Sequence, residues 1–108
     1  MRYIVTDLEW NGAYSRRAHG YFNEIIEIGA VALDDRLQIT DRFQAIVRPS
    51  VSKKLSGIVS ELTNITGEEL ADGTDFDTAV RAFSAFIGDG DTAVLTWSMT
   101  DLLVLIEN

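Results

Sequence analysis

The spacing of hydrophobic and polar positions changes along the chain, and the change predicts its elements. Residues 2–10, 24–33 and 38–48 are rich in β-branched and aromatic side chains, which predicts three strands. Apolar positions three and four apart then predict helices over 55–62 and 76–87, and residues 92–97 predict a fourth strand. Residues 11–23, which include two glycines and two arginines, are predicted to form a loop.

Local signals mark where several of these elements begin and end. Thr66 and Glu69 have the spacing of a capping box and predict a short turn of helix. Thr74 or Asp75 is predicted to begin the helix over 76–87, and Gly88 to end it. The order β-β-β-α-β-α predicts an α/β fold, a mixed sheet flanked by helices, in one domain over residues 1–108.

The last segment differs from the others because it is apolar on nearly every side. Ser98 is predicted to begin a helix over this segment, with Asp101 in its first turn. Residues 101–108 contain no glycine or proline that would end the helix, so we expect a domain truncated at its C-terminus. An apolar helix requires burial on several sides, and a homodimer through Leu102, Leu103 and Ile106 would provide it.

The composition excludes several classes of protein. The chain has 108 residues, no cysteine and one histidine, His19, which excludes disulfide scaffolds and metal sites built from cysteine or several histidines. No apolar run is long enough to cross a membrane, and Asp7 comes too early for a signal peptide. We therefore expect a cytoplasmic protein with no membrane partner.

The charge restricts any role in nucleic-acid binding. Nine basic residues stand against seventeen acidic ones, for a net charge of −8. A protein that binds nucleic acid by broad phosphate neutralisation carries an excess of lysine and arginine. Nucleic-acid binding by this chain therefore requires a local site, and metal ions are the means that fits best.

Asp7 and Glu9 are the candidate chemistry. Residues two apart in a strand point to the same side, with Cα atoms about 6.5 Å apart. Two carboxylates on one side of an apolar strand favour a hard divalent cation between them, although both are simply solvated if they lie past the buried part of the strand. Asp101 follows the fourth strand and reaches them if that strand neighbours the first. Its alternative role is to complement the helix dipole.

These residues match motifs of a known family. Residues 4–10 resemble the first motif of the DEDD 3′–5′ exonuclease superfamily, which includes ribonuclease T and the polymerase III proofreading subunit. Residues 24–31 resemble the second strand of that family, and residues 97–101 place Asp101 where the second motif has its aspartate. Similarity to the subgroup that acts on histone-mRNA and small-RNA 3′ ends covers residues 43–49, 55–56 and 61–66.

The resemblance implies a ribonuclease H-like fold and an enzyme that removes nucleotides from the 3′ ends of single-stranded RNA or DNA. It implies two Mg²⁺ or Mn²⁺ ions, with Asp7 and Glu9 as ligands and Asp101 as a ligand directly or through water. Trp10, Asn11, Leu62 and Thr63 would contact the substrate. The alternatives are a solvated loop with one partly packed tryptophan for the first two, and helix-end packing for the last two. No motif in the sequence separates RNA from DNA.

The resemblance is incomplete in one respect. The third motif of the family, a histidine or tyrosine general base followed by a fourth metal-binding aspartate, has no counterpart in this sequence. His19 is a poor substitute, because a lone loop histidine is usually solvated. Loss of a general base costs about 10²- to 10⁴-fold in rate, so this chain alone is predicted to be a weak or inactive catalyst. The alternative function is a non-catalytic module of the same fold that acts through protein contacts.

Overall fold

A computed structural model describes residues 1–15, 20–50 and 61–108. They form one four-stranded sheet with strand order β3-β2-β1-β4, in which β2 is antiparallel to β1 and β3, and β4 is parallel to β1. The predicted mixed α/β sheet is confirmed. The named elements are β1 Arg2–Ser15, β2 Gly20–Leu33, β3 Ile39–Ile46, α1 Gly67–Ala71, α2 Phe76–Ile87, β4 Thr92–Thr96 and α3 Met99–Glu107.

One side of the sheet packs against α2 and α3 to form the core. Phe43 on β3 contacts the rings of Phe83 and Phe86 on α2, with centroids 5.5 Å and 5.4 Å away. Val104 joins the same cluster from α3. This packing agrees with the apolar stripe predicted for residues 76–87. Strand residues of the cluster include Ile4, Leu8, Ile25, Ile28, Ala30 and Ala32.

The predicted loop over 11–23 is wrong for the residues that the structure describes. Strands β1 and β2 extend into this region as an antiparallel arm that continues to the pair Ser15 and Gly20. Backbone pairing between the two strands outweighs the local turn-forming composition, because each strand satisfies the other's amides and carbonyls. Residues 16–19, which include the two arginines and His19, lie outside the described residues.

The predicted helix signals are confirmed where the structure describes them. Thr66 accepts a hydrogen bond from the Glu69 amide, and Glu69 accepts one in return, as in a capping box. Asp75 begins α2 by accepting from the Thr78 amide, and Gly88 ends it at φ 75°, a left-handed value that favours glycine. The helix predicted over 55–62 lies mainly outside the described residues, although positions 61–63 are helical.

The last helix forms as predicted and exposes much of its apolar surface. Leu102, Leu103 and Ile106 are 41%, 61% and 73% exposed. Trp97, between β4 and α3, is almost completely exposed. None of the helices in the described parts of the chain combines the length and apolar character needed to cross a bilayer.

Candidate active site

Strand β1 places Asp7 and Glu9 on the side of the sheet away from the core. Asp7 is exposed and lies opposite Gly29 on β2, so no side chain faces it from that strand. Glu9 is partly buried and lies opposite Glu27. The strand period therefore brings the two predicted carboxylates to one surface, as their spacing indicates.

A β-bulge follows this pair immediately. Glu9 pairs with Glu27, whereas the next residue, Trp10, pairs with Ile25, which leaves Ile26 as the extra residue on β2. Bulges increase the local twist and redirect side chains, and they are common beside active sites. Here the bulge ends the regular pairing of β1 and β2 directly beside the acidic residues.

Asp101 reaches β1 from the first turn of α3. The pairing of β1 with β4 ends at Thr6 and Thr96, and Asp101 Oδ2 accepts a hydrogen bond from the Leu8 amide at 3.4 Å. Ser98 Oγ donates to Asp101 Oδ1 at 3.2 Å. Asp101 is only 5% exposed, and its carboxylate lies beside the backbone between Asp7 and Glu9.

Three other carboxylates act on Glu9. Burial raises the pKa of Glu9, and the negative charges of Asp7, Glu27 and Asp101 raise it further. A cation among these groups would relieve the repulsion. The site is therefore electrostatically suited to a divalent ion with oxygen ligands.

Glu27 is the fourth carboxylate of this group and is not among the predicted metal ligands. Its partner is the side chain of Gln44, whose Nε2 donates to Glu27 Oε2 at 3.1 Å. Glu27 also lies directly across from Glu9, which brings it into the acidic group. Only the register of β1 against β2 reveals this neighbour, because the bulge between Trp10 and Glu9 shifts the pairing by one residue from the one that holds as far as Ser15 and Gly20.

The chemical type of the side chains suits a metal ion, but among the described residues their arrangement does not form a complete site. Asp7, Glu9 and Asp101 offer the carboxylate oxygens that Mg²⁺ and Mn²⁺ prefer. Within residues 1–15, 20–50 and 61–108, however, no three acidic or histidine side chains converge closely enough to hold one ion. The structure thus brings the predicted ligands to one region without arranging them as a closed ligand set.

The predicted substrate residues occupy different environments. Trp10 packs against the core cluster and Asn11 is 3% exposed, both directly after Glu9 on β1. Leu62 is 79% exposed, whereas Thr63 Oγ1 accepts a hydrogen bond from the Ile65 amide at 3.2 Å. Of the four, Leu62 presents the most surface, and contact of these residues with a substrate stays a prediction.

Two open grooves adjoin Asp7. One, of about 620 Å³, runs across β1, β2 and β3 and is lined by Asp7, Glu27 and Arg42 among others. The other, of about 590 Å³, lies between β1 and β4 and includes Leu95 and Trp97. An extended polymer lying in either groove would pass beside the acidic residues.

Comparison with known proteins agrees with this arrangement. The RNase_T exonuclease family model matches residues 4–102. The probable 3′–5′ exonuclease KapD of Bacillus subtilis is 28% identical over 97% of this chain and 51% of its own length. The PolC-type DNA polymerase III of Staphylococcus haemolyticus is 31% identical over 81% of this chain and 6% of its own length.

Solved structures show the same fold. The nuclease domain of 3′hExo, a DEDDh family member bound to rAMP, matches with a TM-score of 0.79 and 23% identity over 97% of this chain and 56% of that one. A 3′-exonuclease that recognises the histone mRNA stem-loop matches with a TM-score of 0.78 and 23% identity, over 94% and 48%. The predicted ribonuclease H-like fold is confirmed. The chain spans about half the length of KapD and of these two structures, and it belongs to the RNase_T exonuclease family.

Proposed function

We propose that the chain carries the metal-binding part of a 3′–5′ exonuclease that removes nucleotides from single-stranded RNA or DNA. One observation carries the proposal: Asp7 and Glu9 share a surface of β1, and Asp101 is hydrogen-bonded to the backbone of Leu8 between them. The similarity to the probable 3′–5′ exonuclease KapD and membership in the exonuclease family support the same reaction.

In this proposal Asp7 and Glu9 would hold two Mg²⁺ or Mn²⁺ ions, and Asp101 would hold one directly or through water. When bound, divalent cations supply activation of the attacking water and stabilisation of the departing 3′ oxygen. Asp7 and Glu9 would thus act on the scissile phosphate by holding the ions and not by direct contact. Arg42, which lines the adjoining groove, provides a positive charge for the phosphate of a neighbouring nucleotide.

The test follows 5′-labelled single-stranded RNA and DNA with Mn²⁺ and a high concentration of protein. We expect slow shortening from the 3′ end and a loss of at least about 100-fold in Asp7→Asn, because a metal ligand is removed. Asp89→Asn is the matched control, since it makes the same charge change at an exposed residue in the turn before β4. Its rate should equal that of the unmodified chain.

Two outcomes would contradict the proposal. Shortening that persists in Asp7→Asn would place the activity outside this site. Absence of shortening, together with absence of Mn²⁺ binding in calorimetry, would favour the non-catalytic module that acts through protein contacts. Comparing the RNA and DNA rates identifies the preferred substrate.

Two further predictions concern the location of the protein and its self-association. A cytoplasmic location stays a prediction from composition. Association of two chains through Leu102, Leu103 and Ile106 also stays a prediction, prompted by the exposure of these side chains on α3. Light scattering over a wide concentration range tests it, and a constant monomer mass would exclude the homodimer.

A further inference from the structure

Helix α3 is hydrogen-bonded to the β1–β2 pair at both of its ends. In its first turn, Asp101 accepts from the Leu8 amide on β1 at 3.4 Å. At its C-cap, Asn108 bonds to the backbone of β2. The helix therefore spans from the acidic site on β1 to a second anchor on the neighbouring strand.

The second anchor has two hydrogen bonds in opposite directions. Asn108 Oδ1 accepts from the Ile25 amide at 3.0 Å, and Asn108 Nδ2 donates to the Asn23 carbonyl at 2.6 Å. The same Nδ2 also donates to the Val104 carbonyl at 2.8 Å, which ties the side chain to its own helix. A carboxamide offers the same donor and acceptor as a peptide group, so Asn108 pairs with β2 as a neighbouring strand would.

This anchor lies just beyond the part of β2 that pairs with β3 in the described residues. Pairing of β3 with β2 reaches Glu27, and a further backbone hydrogen bond joins the Val47 amide to the Ile26 carbonyl. Beyond this point, Asn108 satisfies the Ile25 amide, which would otherwise be a partly buried donor without its bond. The anchor thus adjoins the bulge at Ile26, the residue next to Glu27.

Because Asn108 and Asp101 belong to the same helix, fixing Asn108 also fixes the position of Asp101. Asp101 and Asn108 are seven residues apart, which corresponds to about 10.5 Å along an α-helix. A short helix held at one end only can tilt or slide, and held at both ends it cannot do either without breaking a bond. The position of the Asp101 carboxylate beside Leu8 therefore depends on the bonds at Asn108.

We propose that Asn108 is a positioning residue for the acidic site: its two hydrogen bonds to β2 hold α3 so that Asp101 lies beside Asp7 and Glu9. If this is so, loss of Asn108 weakens the hydrogen bond between Leu8 and Asp101, and it also weakens metal binding. The effect on metal binding rests on the proposed function, whereas the effect on the Leu8 hydrogen bond does not. Each consequence has its own experiment.

The first experiment measures amide hydrogen exchange by NMR in the metal-free chain. Asn108→Ala removes both bonds, and Asn108→Asp keeps the acceptor for Ile25 but has no N–H for the Asn23 carbonyl. We expect exchange at Leu8 to accelerate by at least about fivefold in both variants, since α3 moves away from β1. Glu107→Gln, at the exposed neighbouring position, is the control and should leave Leu8 unchanged.

The result that would overturn the inference is specific. If Ile25 loses protection in Asn108→Ala while Leu8 keeps it, the anchor acts only locally on β2. If all amides of the chain accelerate equally, Asn108 contributes to global stability and positions nothing. The midpoint of thermal unfolding, measured alongside, confirms that each variant is folded under the conditions of the exchange experiment.

The second experiment measures Mn²⁺ affinity by calorimetry in a double-mutant cycle. We expect Asn108→Ala to weaken binding about tenfold, as loss of a residue that orients a ligand commonly does. In the Asp101→Asn background the same change should have no further effect, because Asn108 acts through Asp101. Additive losses would contradict the inference. If the unmodified chain binds no Mn²⁺, the proposed function fails, and the exchange at Leu8 still decides the role of Asn108.

Discussion

Glu9 carries its negative charge in an unfavourable environment. It is partly buried on β1, and the negative charges of three other carboxylates raise its pKa. Asp7 shares its strand and Glu27 faces it across the sheet, while Asp101 approaches from α3. Such an arrangement is costly in a metal-free protein, and a bound cation would lower that cost.

We expect Glu9→Gln to stabilise the metal-free chain at about pH 7 and to have little effect at about pH 3.5. The pKa of Glu9 in the folded chain is raised above its ordinary value of 4.5. In the pH window between the unfolded-state and folded-state pKa values, the folded state therefore binds more protons than the unfolded state. Ionisation of Glu9 therefore removes stability above that window, and glutamine cannot ionise. Urea unfolding in the presence of a chelator measures the difference.

Glu61→Gln, the same substitution at an exposed position, is the control for this change. A loss of stability in Glu9→Gln that is equal at both pH values would show that the Glu9 side chain is needed for packing, and that its charge is not the dominant effect.

At the scale of elements, the segment after α1 lies so close to the end of β3 that one position admits only glycine. Gly73 follows α1, and its neighbour Thr74 pairs with the end of β3: the Thr74 amide donates to the Ile46 carbonyl, and the Arg48 amide donates to the Thr74 carbonyl. A Cβ at position 73 would lie 2.7 Å from the Ile46 oxygen and 2.9 Å from the Arg48 nitrogen. Glycine is therefore required by this approach.

We predict that Gly73→Ala lowers the free energy of unfolding by about 1–3 kcal/mol, because backbone atoms must move to admit the methyl group. Gly90→Ala is the matched control, since a Cβ there has no heavy atom within 4 Å. Denaturant unfolding measures both variants. Equal effects at the two positions would contradict the close approach at Gly73.

The start of α2 provides a pH-dependent prediction. The hydrogen bond from the Thr78 amide lowers the pKa of Asp75 below 3.8, so its stabilising effect is present above that value and is lost as the pH falls through the folded-state pKa. We expect Asp75→Ala to lower the midpoint of thermal unfolding at neutral pH. Asp75→Asn, which keeps a capping oxygen, should lower it less. Equal midpoints for the two variants would exclude a capping role.

At the scale of the whole molecule, the net charge of −8 opposes contact with nucleic acid. We predict that a labelled single-stranded oligonucleotide binds at least about tenfold more tightly with Mg²⁺ than with a chelator at equal ionic strength. The slope of log K against log[salt] should be shallower than about −2, which corresponds to roughly three neutralised phosphates. Fluorescence anisotropy measures both quantities.

Tight binding without a divalent cation, with a steep dependence on salt, would contradict this prediction. It would indicate that arginines and lysines on the surface, rather than bound cations, neutralise the phosphates.

Sequence and structure contributed differently to these conclusions. Periodicity predicted the four strands and the helix over 76–87, and the D-x-E spacing predicted that Asp7 and Glu9 share a side of β1, because both are local properties of the backbone. Three findings depended on pairing between distant segments: the long arm of β1 and β2, the place of Glu27 across from Glu9, and the anchor at Asn108. Strand register and helix docking are decided by tertiary contacts, which local patterns do not encode.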